Sequence, residues 1–422
     1  MTGQEAIELI HQKVWAGHKP GLSRTQELLH RVGDPHKRLK FVHITGTNGK
    51  GSTASMVCQI LVQAGYKAGL FTSPHLYSFH ERFRVNGQPI SDADLGRITE
   101  RVFRAGEGME DSATEFELMT AVGMLYFEEQ ECDLVVLEVG MGGRLDSTNV
   151  IPAPEAAAIT NIGLDHTAEL GSTRALIAEE KAGIIKPGSH VVLYHQSREV
   201  EDVIEEVCRK ENVPLILTAP QTLEILSSDK EGQTFRYREK GPYSIGLLGE
   251  HQVHNASTAI DIAEVLRQRG WNIPEEALKQ GLSLAKWPGR MELVRRDPDV
   301  ILDGGHNPQC MEALAGSLKK LYPDRKIRFV TGVLADKDFE EMYRQILPLA
   351  CGFVTITPDS PRAMSAQALA EYLQSQGKDA VPCGTTEEGL KTAFSMAGPE
   401  DIVCVCGSLY MMGEVRHLLG LC

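Results

Sequence analysis

A glycine-rich segment with one lysine is the first group of residues that could do chemistry. Residues 45–52 read TGTNGKGS and directly follow the apolar run 41–44 (FVHI). Between a strand and a helix, such a segment directs successive backbone N–H groups and a helix N-terminus to one point, which suits a triphosphate. Lys50 would add a positive charge for the β- and γ-phosphates. The alternative interpretation is a glycine-rich turn with a solvated lysine.

The spacing in this segment departs from the general phosphate-loop pattern. Only two residues separate Gly46 from Gly49, and Gly51 follows Lys50. In the general pattern, the hydroxyl that binds magnesium comes directly after the lysine. The pattern by itself therefore does not establish Ser52 as that hydroxyl ligand.

A carboxylate lies at the end of a second apolar run, residues 133–139 (DLVVLEV). Glu138 is followed closely by Gly140, Gly142 and Gly143. Carboxyl ends of parallel strands face the ligand crevice of an α/β sheet, and magnesium prefers oxygen ligands. We therefore predict that Glu138 binds magnesium. The alternative, that Glu138 caps a turn, leaves the glycine cluster unexplained.

Three further segments carry polar residues beside predicted strands or helices. His166 follows the apolar run 156–160, although a lone histidine is more often a packed or capping residue. Lys181 lies on a short helix beside Glu179 and Glu180, and composition alone predicts a surface lysine in a salt bridge. Residues 303–308 (DGGHNP) follow another strand and suit nucleotide or amino-acid contacts. Asn307 can also cap a helix that begins with proline.

The elements that must position these residues alternate between strand-like and helix-like runs. This alternation predicts an α/β fold built from βαβ units. We expect an N-terminal P-loop NTPase-like domain with a mainly parallel sheet over residues 1–295, which includes a β-rich appendage at 215–248. Proline and glycine cluster at 287–298, where a new alternating series begins. We expect a C-terminal Rossmann-like α/β domain over 296–422.

Composition limits the class of protein further. The chain has 422 residues and a formal net charge of −14, which argues against a nucleic-acid or anionic-membrane surface. No apolar run is long enough to span a bilayer, and the first 20 residues lack the features of a signal peptide. The nine cysteines are scattered without ligand clusters. We expect reduced thiols, no structural zinc and a cytoplasmic location.

Taken together, these segments resemble the Mur ligase superfamily, and within it the folylpolyglutamate synthase/dihydrofolate synthase family. The resemblance covers nearly the whole chain, and the ordered set of motifs is far more specific than any one of them. The motifs, in order, are GLSR from Gly21, TGTNGKGS from Thr45, TSPHL from Thr72, EVGMGGRLDSTN from Glu138, Asp165-His166, EKAGI from Glu180, GEHQVHNA from Gly249, Pro288-Gly289-Arg290, and DGGHNP from Asp303.

The resemblance implies residue roles. Lys50, Glu138, His166 and Lys181 would be catalytic, and Lys181 would be carbamylated by carbon dioxide. Magnesium would be bound by Ser73, Glu138 and His166, so Ser52 and Ser73 are both candidates for the hydroxyl ligand. Contacts to ATP would come from Asn48, Gly49, Lys50, Gly51, Ser52, Asn255, Arg290 and Asp303. Contacts to the other substrates would come from Gly21, Leu22, Ser23, Arg24, Ser73, Phe116, Leu145, Ser147 and His306.

The expected activity is an ATP-dependent ligation of L-glutamate to the carboxylate of a folate-type substrate through an acyl phosphate. The resemblance implies ATP and Mg²⁺ as cofactors, leaves a monovalent cation such as K⁺ open, and implies a monomer with no nucleic-acid or membrane partner. Two alternatives remain: a Mur-like ligase for another carboxylate, and a nucleotide-binding protein without enzymatic activity. Nucleotide binding alone does not need all four of Lys50, Glu138, His166 and Lys181. Their joint presence therefore argues against a nucleotide-binding protein without enzymatic activity.

Overall fold

A computed structural model describes residues 1–13, 21–398 and 400–421 of the chain. In this part of the chain the strands form three sheets, and the largest has eight strands in the order β4-β3-β2-β5-β1-β6-β7-β8. Its strands are β1 (Phe41–Thr45), β2 (Ala68–Phe71), β3 (Phe83–Val85), β4 (Gln88–Pro89), β5 (Leu134–Glu138), β6 (Ala156–Ile159), β7 (Val191–Leu193) and β8 (Leu215–Leu217). All neighbouring pairs from β2 to β8 are parallel, and β3 and β4 add an antiparallel edge.

Helices cover both faces of this sheet. They are α1 (Gly3–His11), α2 (Ser23–Arg31), α3 (Lys50–Gln63), α4 (Asp92–Gly106), α5 (Glu115–Glu129), α6 (Thr167–Leu170), α7 (Arg174–Ala182), α8 (Arg198–Glu211), α9 (Glu250–Gln268) and α10 (Glu275–Leu284). Side chains alternate along each strand. In β5, Leu134 and Val136 pack with residues of α3, α9 and α10, whereas Val135 and Leu137 pack with residues of α2, α4 and α5.

A small antiparallel sheet lies beside α9 and α10. Its strands are β9 (Glu224–Asp229), β10 (Gly232–Tyr237) and β11 (Lys240–Ile245). Phe235, Tyr237 and Tyr243 are buried against the same core as α9 and α10. The predicted β-rich appendage is therefore confirmed for these strands, whereas β8, at its start, belongs to the large parallel sheet.

The C-terminal sheet has the order β12-β13-β17-β14-β15-β16. Its strands are β12 (Glu292–Arg295), β13 (Asp299–Asp303), β14 (Ile327–Thr331), β15 (Ala350–Thr355), β16 (Ala380–Pro382) and β17 (Ile402–Cys406). Helices α11 (Pro308–Leu321), α12 (Phe339–Ile346), α13 (Ala366–Ser375), α14 (Thr386–Met396) and α15 (Met412–Leu418) surround it. Strand β12 is antiparallel to β13, and the others are parallel.

The predicted α/β class, with a mainly parallel N-terminal sheet and a second α/β sheet, is confirmed. The division at residue 296 stays a proposal, and β12, which precedes it, already pairs with the C-terminal sheet. The helical pattern predicted near the N-terminus is confirmed for Gly3–His11, while residues 14–20 lie outside the described residues. Within the described ranges, no helix has the length and apolar character needed to cross a membrane.

Candidate active site

A cleft of about 510 Å³ lies between the two large sheets, at the carboxyl ends of the parallel strands of the N-terminal one. It brings together most of the residues predicted from the sequence. Those that line it are Asn48, Gly49, Lys50, Gly51, Ser52, Ser73, Glu138, His166, Lys181, Asn255, Arg290, Asp303 and His306. Residues more than 250 positions apart along the chain therefore face one space.

Two glycines give the segment between β1 and α3 its course. Gly46 has φ +151°, and a Cβ atom there would lie 1.8 Å from Thr160 Oγ1. Gly49 caps the N-terminus of α3 with φ +89°, in the left-handed region that favours glycine. The structure thus confirms a glycine-rich loop between a strand and a helix, with the N-terminus of α3 in the cleft.

The ammonium groups of Lys50 and Lys181 meet at this loop. Lys50 Nζ donates to the carbonyl oxygens of Gly46 (3.0 Å) and Thr47 (3.2 Å), and Lys181 Nζ donates to Gly46 (2.9 Å). Lys181 is only 3% exposed. Burial, together with the charge of Lys50, lowers the pKa of Lys181 to about 7. The interpretation of Lys181 as a surface lysine in a salt bridge is therefore wrong, because its side chain is buried and its ammonium group contacts the phosphate loop.

The glycine cluster after β5 allows helix α7 to carry Lys181 to this point. A Cβ on Gly143 would lie 2.8 Å from the carbonyl oxygens of Glu180 and Lys181, and one on Gly183 would lie 2.4 Å from Cα of Arg144. Only glycine permits this close approach of backbone to backbone. The segment after Glu138 therefore positions the lysine as well as the carboxylate.

Glu138 is buried at the end of β5 and faces the same cleft. Its Oε2 accepts a hydrogen bond from the backbone N–H of Ser73 (3.0 Å), while Oε1 accepts none from the described residues. Burial raises the pKa of Glu138, and the charges of Lys50 and Arg290 oppose that shift. A buried carboxylate whose second oxygen accepts no hydrogen bond from the described residues, in a cleft that Ser73 and His166 also line, fits a hard divalent cation such as Mg²⁺.

His166 begins α6 from a left-handed conformation, with φ +50° and ψ +41°. Its neighbour Asp165 accepts from the His166 backbone N–H (3.0 Å). The pKa of His166 is lowered, chiefly because surrounding protein displaces water. The neutral imidazole that this favours is the form that binds metals.

Contacts between the domains converge on the phosphate loop. Asn48 Nδ2 donates to Gln309 Oε1 (3.1 Å), and Asn48 Oδ1 accepts from Asn307 Nδ2 (2.9 Å). Lys337 Nζ lies 2.6 Å from Asp165 Oδ1, and the two side chains are 12% and 10% exposed. Burial alone would raise the pKa of Asp165, but the hydrogen bond and charge of Lys337 lower it to about 2. The C-terminal domain thus contacts Asn48 and Asp165, two N-terminal residues that line the cleft.

The DGGHNP segment forms the opposite wall. Asp303 accepts from the backbone N–H groups of Met291 (2.9 Å) and Gly305 (2.8 Å). His306 Nδ1 lies 3.0 Å from the Gly304 carbonyl, which can only accept, so Nδ1 carries the proton. Burial lowers the pKa of His306 to about 4. The predicted helix cap is also confirmed, since Asn307 accepts from the N–H of Cys310 (3.0 Å) ahead of α11.

The models of two known domain families match this chain, one on each side of the cleft. The family model of the Mur ligase middle domain matches residues 44–263, and that of the Mur ligase glutamate ligase domain matches residues 289–409. The chain belongs to the Mur ligase family. In this Mur ligase, the first match begins in β1 and includes the phosphate loop, Glu138, His166 and Lys181. The second includes Arg290, Asp303 and His306.

Relatives that match this chain over their full length identify the family more specifically. The dihydrofolate synthase/folylpolyglutamate synthase of Bacillus subtilis (strain 168) is 37% identical over 428 residues, covering 99% of this chain and 99% of the relative. The folylpolyglutamate synthase of Lacticaseibacillus casei is 33% identical over 441 residues, covering 99% of each. The sequence-based assignment to this family is confirmed.

Two solved structures match the fold of this chain over nearly its whole length. Mycobacterium tuberculosis folylpolyglutamate synthase complexed with ADP and AMPPCP gives a TM-score of 0.90 at 30% identity, covering 99% of this chain and 98% of that one. Escherichia coli FolC in complex with DHPP and ADP gives 0.88 at 28% identity, covering 100% and 98%. The two-domain arrangement of this Mur ligase is therefore shared with these structures.

Seven of the nine predicted substrate residues of this Mur ligase do not line the cleft. Arg24 is buried and donates from Nε to both carboxylate oxygens of Glu117 (3.1 and 3.0 Å). Phe116 lies beside Gly140, where a Cβ would be 2.5 Å from its ring. Ser147 Oγ shares a 2.7 Å hydrogen bond with Thr120 on α5. The residues outside the lining are Gly21, Leu22, Ser23, Arg24, Phe116, Leu145 and Ser147.

Among the residues that the sequence did not single out, Gln309 and Trp287 line the cleft, whereas Lys337 lies behind its wall and contacts Asp165 there. Gln309 and Lys337 bind the loops of the N-terminal domain, and Trp287 lies where a Cβ on Gly51 would be, at 2.5 Å. Gln309 follows the DGGHNP segment, so its position carried some signal. No local sequence pattern indicated Lys337, because its partner Asp165 is 172 residues away.

Proposed function

We propose that this Mur ligase adds L-glutamate to the carboxylate of a folate-type acceptor, with ATP as the energy source and ADP and phosphate as products. The observation that carries the proposal is the cleft itself. It joins a phosphate loop and a buried carboxylate of one domain to the glutamate ligase domain that follows. Full-length relatives named as folylpolyglutamate and dihydrofolate synthases support the choice of acceptor.

The chemistry explains why these groups are needed together. A carboxylate does not react with an amine at neutral pH, because it would have to expel an oxide or hydroxide. Transfer of the γ-phosphoryl group from ATP to a carboxylate oxygen forms an acyl phosphate and ADP. The glutamate amine then attacks the carbonyl carbon, a proton leaves the nitrogen, and the C–O bond breaks to release phosphate. Negative charge develops in both steps, so cations at the site lower both barriers.

Residues of the phosphate loop are proposed to hold ATP. Lys50 would exchange its contacts with Gly46 and Thr47 for phosphate oxygens, and the N-terminus of α3 would add backbone N–H groups. Asn255, Arg290 and Asp303 would contact the nucleotide from the other walls. The related structures complexed with ADP or AMPPCP support nucleotide binding in this cleft.

Magnesium would be held by Glu138 and His166, with Ser73 or Ser52 as the hydroxyl ligand. When bound, Mg²⁺ neutralises charge on the phosphoryl oxygens. Lys181 would act as its carbamate, because an ammonium beside a divalent cation would repel it. Carbamylation requires the neutral amine, which the lowered pKa of Lys181 makes available near pH 7.

The acceptor would lie on the side of Phe116, Ser147 and the start of α2, and His306 would face the incoming glutamate. Closure of the cleft would exclude water from the acyl phosphate, which otherwise hydrolyses. A monovalent-cation requirement such as K⁺, a monomeric state and a cytoplasmic location stay predictions.

Mass spectrometry of the reaction products tests the proposal. The protein would be incubated with ATP, Mg²⁺ and glutamate together with dihydropteroate, tetrahydrofolate or a UDP-linked Mur ligase substrate. We expect a mass gain of one glutamyl unit on at least one pterin, with ADP formed in equal amount. The assignment would be contradicted if product formed only from the UDP-linked substrate. It would also be contradicted if ATP hydrolysis did not depend on any of the three acceptors.

A further inference from the structure

One buried arginine near the cleft has no carboxylate partner among the residues that the structure describes. Arg82 is 8% exposed and ends the short 3-10 helix Phe79–Arg82. Its Nε donates to Nδ1 of His75 (2.9 Å), and its guanidinium carbon lies 5.3 Å from the centre of the Phe79 ring. Its two terminal nitrogens have no hydrogen-bond or ion-pair partner within residues 1–13, 21–398 and 400–421.

The nearest acids are already engaged elsewhere. Glu81 accepts from the backbone N–H groups of Leu76 (3.0 Å) and Ser78 (3.2 Å). Glu115 is paired with His11 (3.0 Å). Glu138 accepts from Ser73 and faces the cleft. A buried charge without a partner is costly, and it persists where a ligand supplies the opposite charge.

The contact between Arg82 and His75 fixes the position of the guanidinium beside the cleft. His75 Nδ1 accepts the N–H of Arg82 Nε, and His75 lines the cleft. The proton of the neutral ring is therefore on Nε2, which points away from Arg82. Because the contact with His75 uses only Nε, both terminal nitrogens of Arg82 stay available, and such a planar fork suits the two oxygens of one carboxylate.

The location separates this pair from the phosphate loop. The Arg82 carbonyl accepts from the N–H of Thr72, so Arg82 lies where β2 ends. Strand β5, with Glu138 at its end, lies between β2 and β1 in the sheet. Neighbouring strands are about 4.8 Å apart, so this pair is roughly 10 Å from the loop that follows β1. The loop-bound triphosphate would not neutralise it.

We propose that Arg82, held in position by His75, binds a carboxylate group of a substrate. This inference rests on the proposed function, which supplies three kinds of carboxylate: the two of the incoming glutamate, the non-reacting one on the glutamyl tail of a folate acceptor, and the reacting carboxylate of either acceptor. A substrate carboxylate at Arg82 neutralises the buried charge and orients the substrate between the two domains.

Steady-state kinetics of Arg82→Gln tests the assignment. We expect the KM for the carboxylate substrate to rise roughly 10- to 100-fold, the usual effect of losing a hydrogen bond to a charged group, while the KM for ATP stays unchanged. A rise for glutamate alone identifies the incoming amino acid. A rise for tetrahydrofolate but not dihydropteroate identifies the glutamyl tail, and a rise for both acceptors identifies the reacting carboxylate.

Arg97→Gln is the matched control, because Arg97 is exposed and paired with Asp94 and Glu129. It should leave every KM unchanged. Arg82→Lys keeps the charge but loses the planar fork, and it should show a smaller rise; it also decides the question if Arg82→Gln does not fold. Unchanged KM values for glutamate and both acceptors in a folded variant, or a change for ATP alone, overturn the inference. An inactive wild-type protein overturns the proposed function instead.

Discussion

Lys50 and Lys181 donate to the same carbonyl oxygen, that of Gly46, at 3.0 and 2.9 Å. The two lysines are 131 positions apart in the sequence, and the second is buried. Burial is the main cause that lowers the pKa of Lys181, and the repulsion between two ammonium groups at one oxygen lowers it further. The result is a strongly electropositive point beside the phosphate loop and an amine that loses its proton near neutral pH.

Replacing Lys50 by alanine should remove most turnover. The reason is the loss of a positive charge that acts on the transferring phosphoryl group, and such losses typically reduce the rate roughly 10²- to 10³-fold. Turnover of ATP with acceptor and glutamate measures the effect, and thermal unfolding checks the fold. Lys391→Ala is the control, since Lys391 is exposed and pairs with Glu387 on the same helix. Near-normal activity of a folded Lys50→Ala variant would contradict the role given to Lys50.

Lys181→Ala should impair catalysis far more than loss of a surface ion pair, which is worth about 0–1 kcal/mol. Lys181→Arg should fail equally, because a guanidinium keeps its proton and cannot form a carbamate. Acetate or formate should restore part of the activity of the alanine variant by standing in for the missing carbamate. The measurement is turnover with and without these acids, with Lys391→Ala as the unresponsive control.

Carbamate formation on Lys181 should depend on pH. Lys181 gives up its proton as the pH rises through about 7, so at fixed dissolved CO₂ the carbamate should increase from pH 6 to pH 8. The ¹³C NMR signal of protein exposed to ¹³CO₂ reports this directly. Lys181→Ala should lack the signal. A wild-type protein that is fully active without any carbamate signal would show that Lys181 acts as a plain amine.

Removal of magnesium by a chelator should abolish turnover, and added Mg²⁺ should restore it. Glu138→Gln keeps the shape of the side chain but removes its charge, so the Mg²⁺ concentration for half-maximal activity should rise by at least about tenfold. A magnesium titration of the activity measures this, with Glu387→Gln as the control. An unchanged magnesium requirement in the Glu138 variant would mean that another residue holds the metal.

The ion pair between Asp165 and Lys337 should couple the two domains. Lys337→Met leaves a buried carboxylate without its main partner, and such losses cost roughly 3–5 kcal/mol. Asp165→Asn together with Lys337→Met removes both charges and should recover much of that loss. Chemical denaturation of the single and double variants gives the coupling free energy. The exposed pair Glu387–Lys391 should show little coupling free energy. Equal coupling free energies for the two pairs would contradict a stabilising role of the Asp165–Lys337 ion pair in the contact between the domains.

Features that depend on a few neighbouring residues were predictable from the sequence. The capping box at Thr114 begins α5, and Asn307 caps α11 ahead of Pro308, as predicted. The apolar runs before the phosphate loop and before Glu138 are the central strands β1 and β5. Caps, turns and strand periodicity arise from local hydrogen bonds and side-chain spacing, so short segments carry the information.

The sequence by itself therefore determined the α/β alternation, the phosphate loop and the presence of a carboxylate at a strand end. Only the tertiary structure decided that Lys181 is buried, that Arg82 contacts His75 and no acid within the described residues, and that Lys337 meets Asp165. The pKa of Lys181 and the unpaired charge of Arg82 follow from burial and from neighbours distant in the chain. Such quantities depend on which surfaces fold against each other, and no local pattern of residues encodes them.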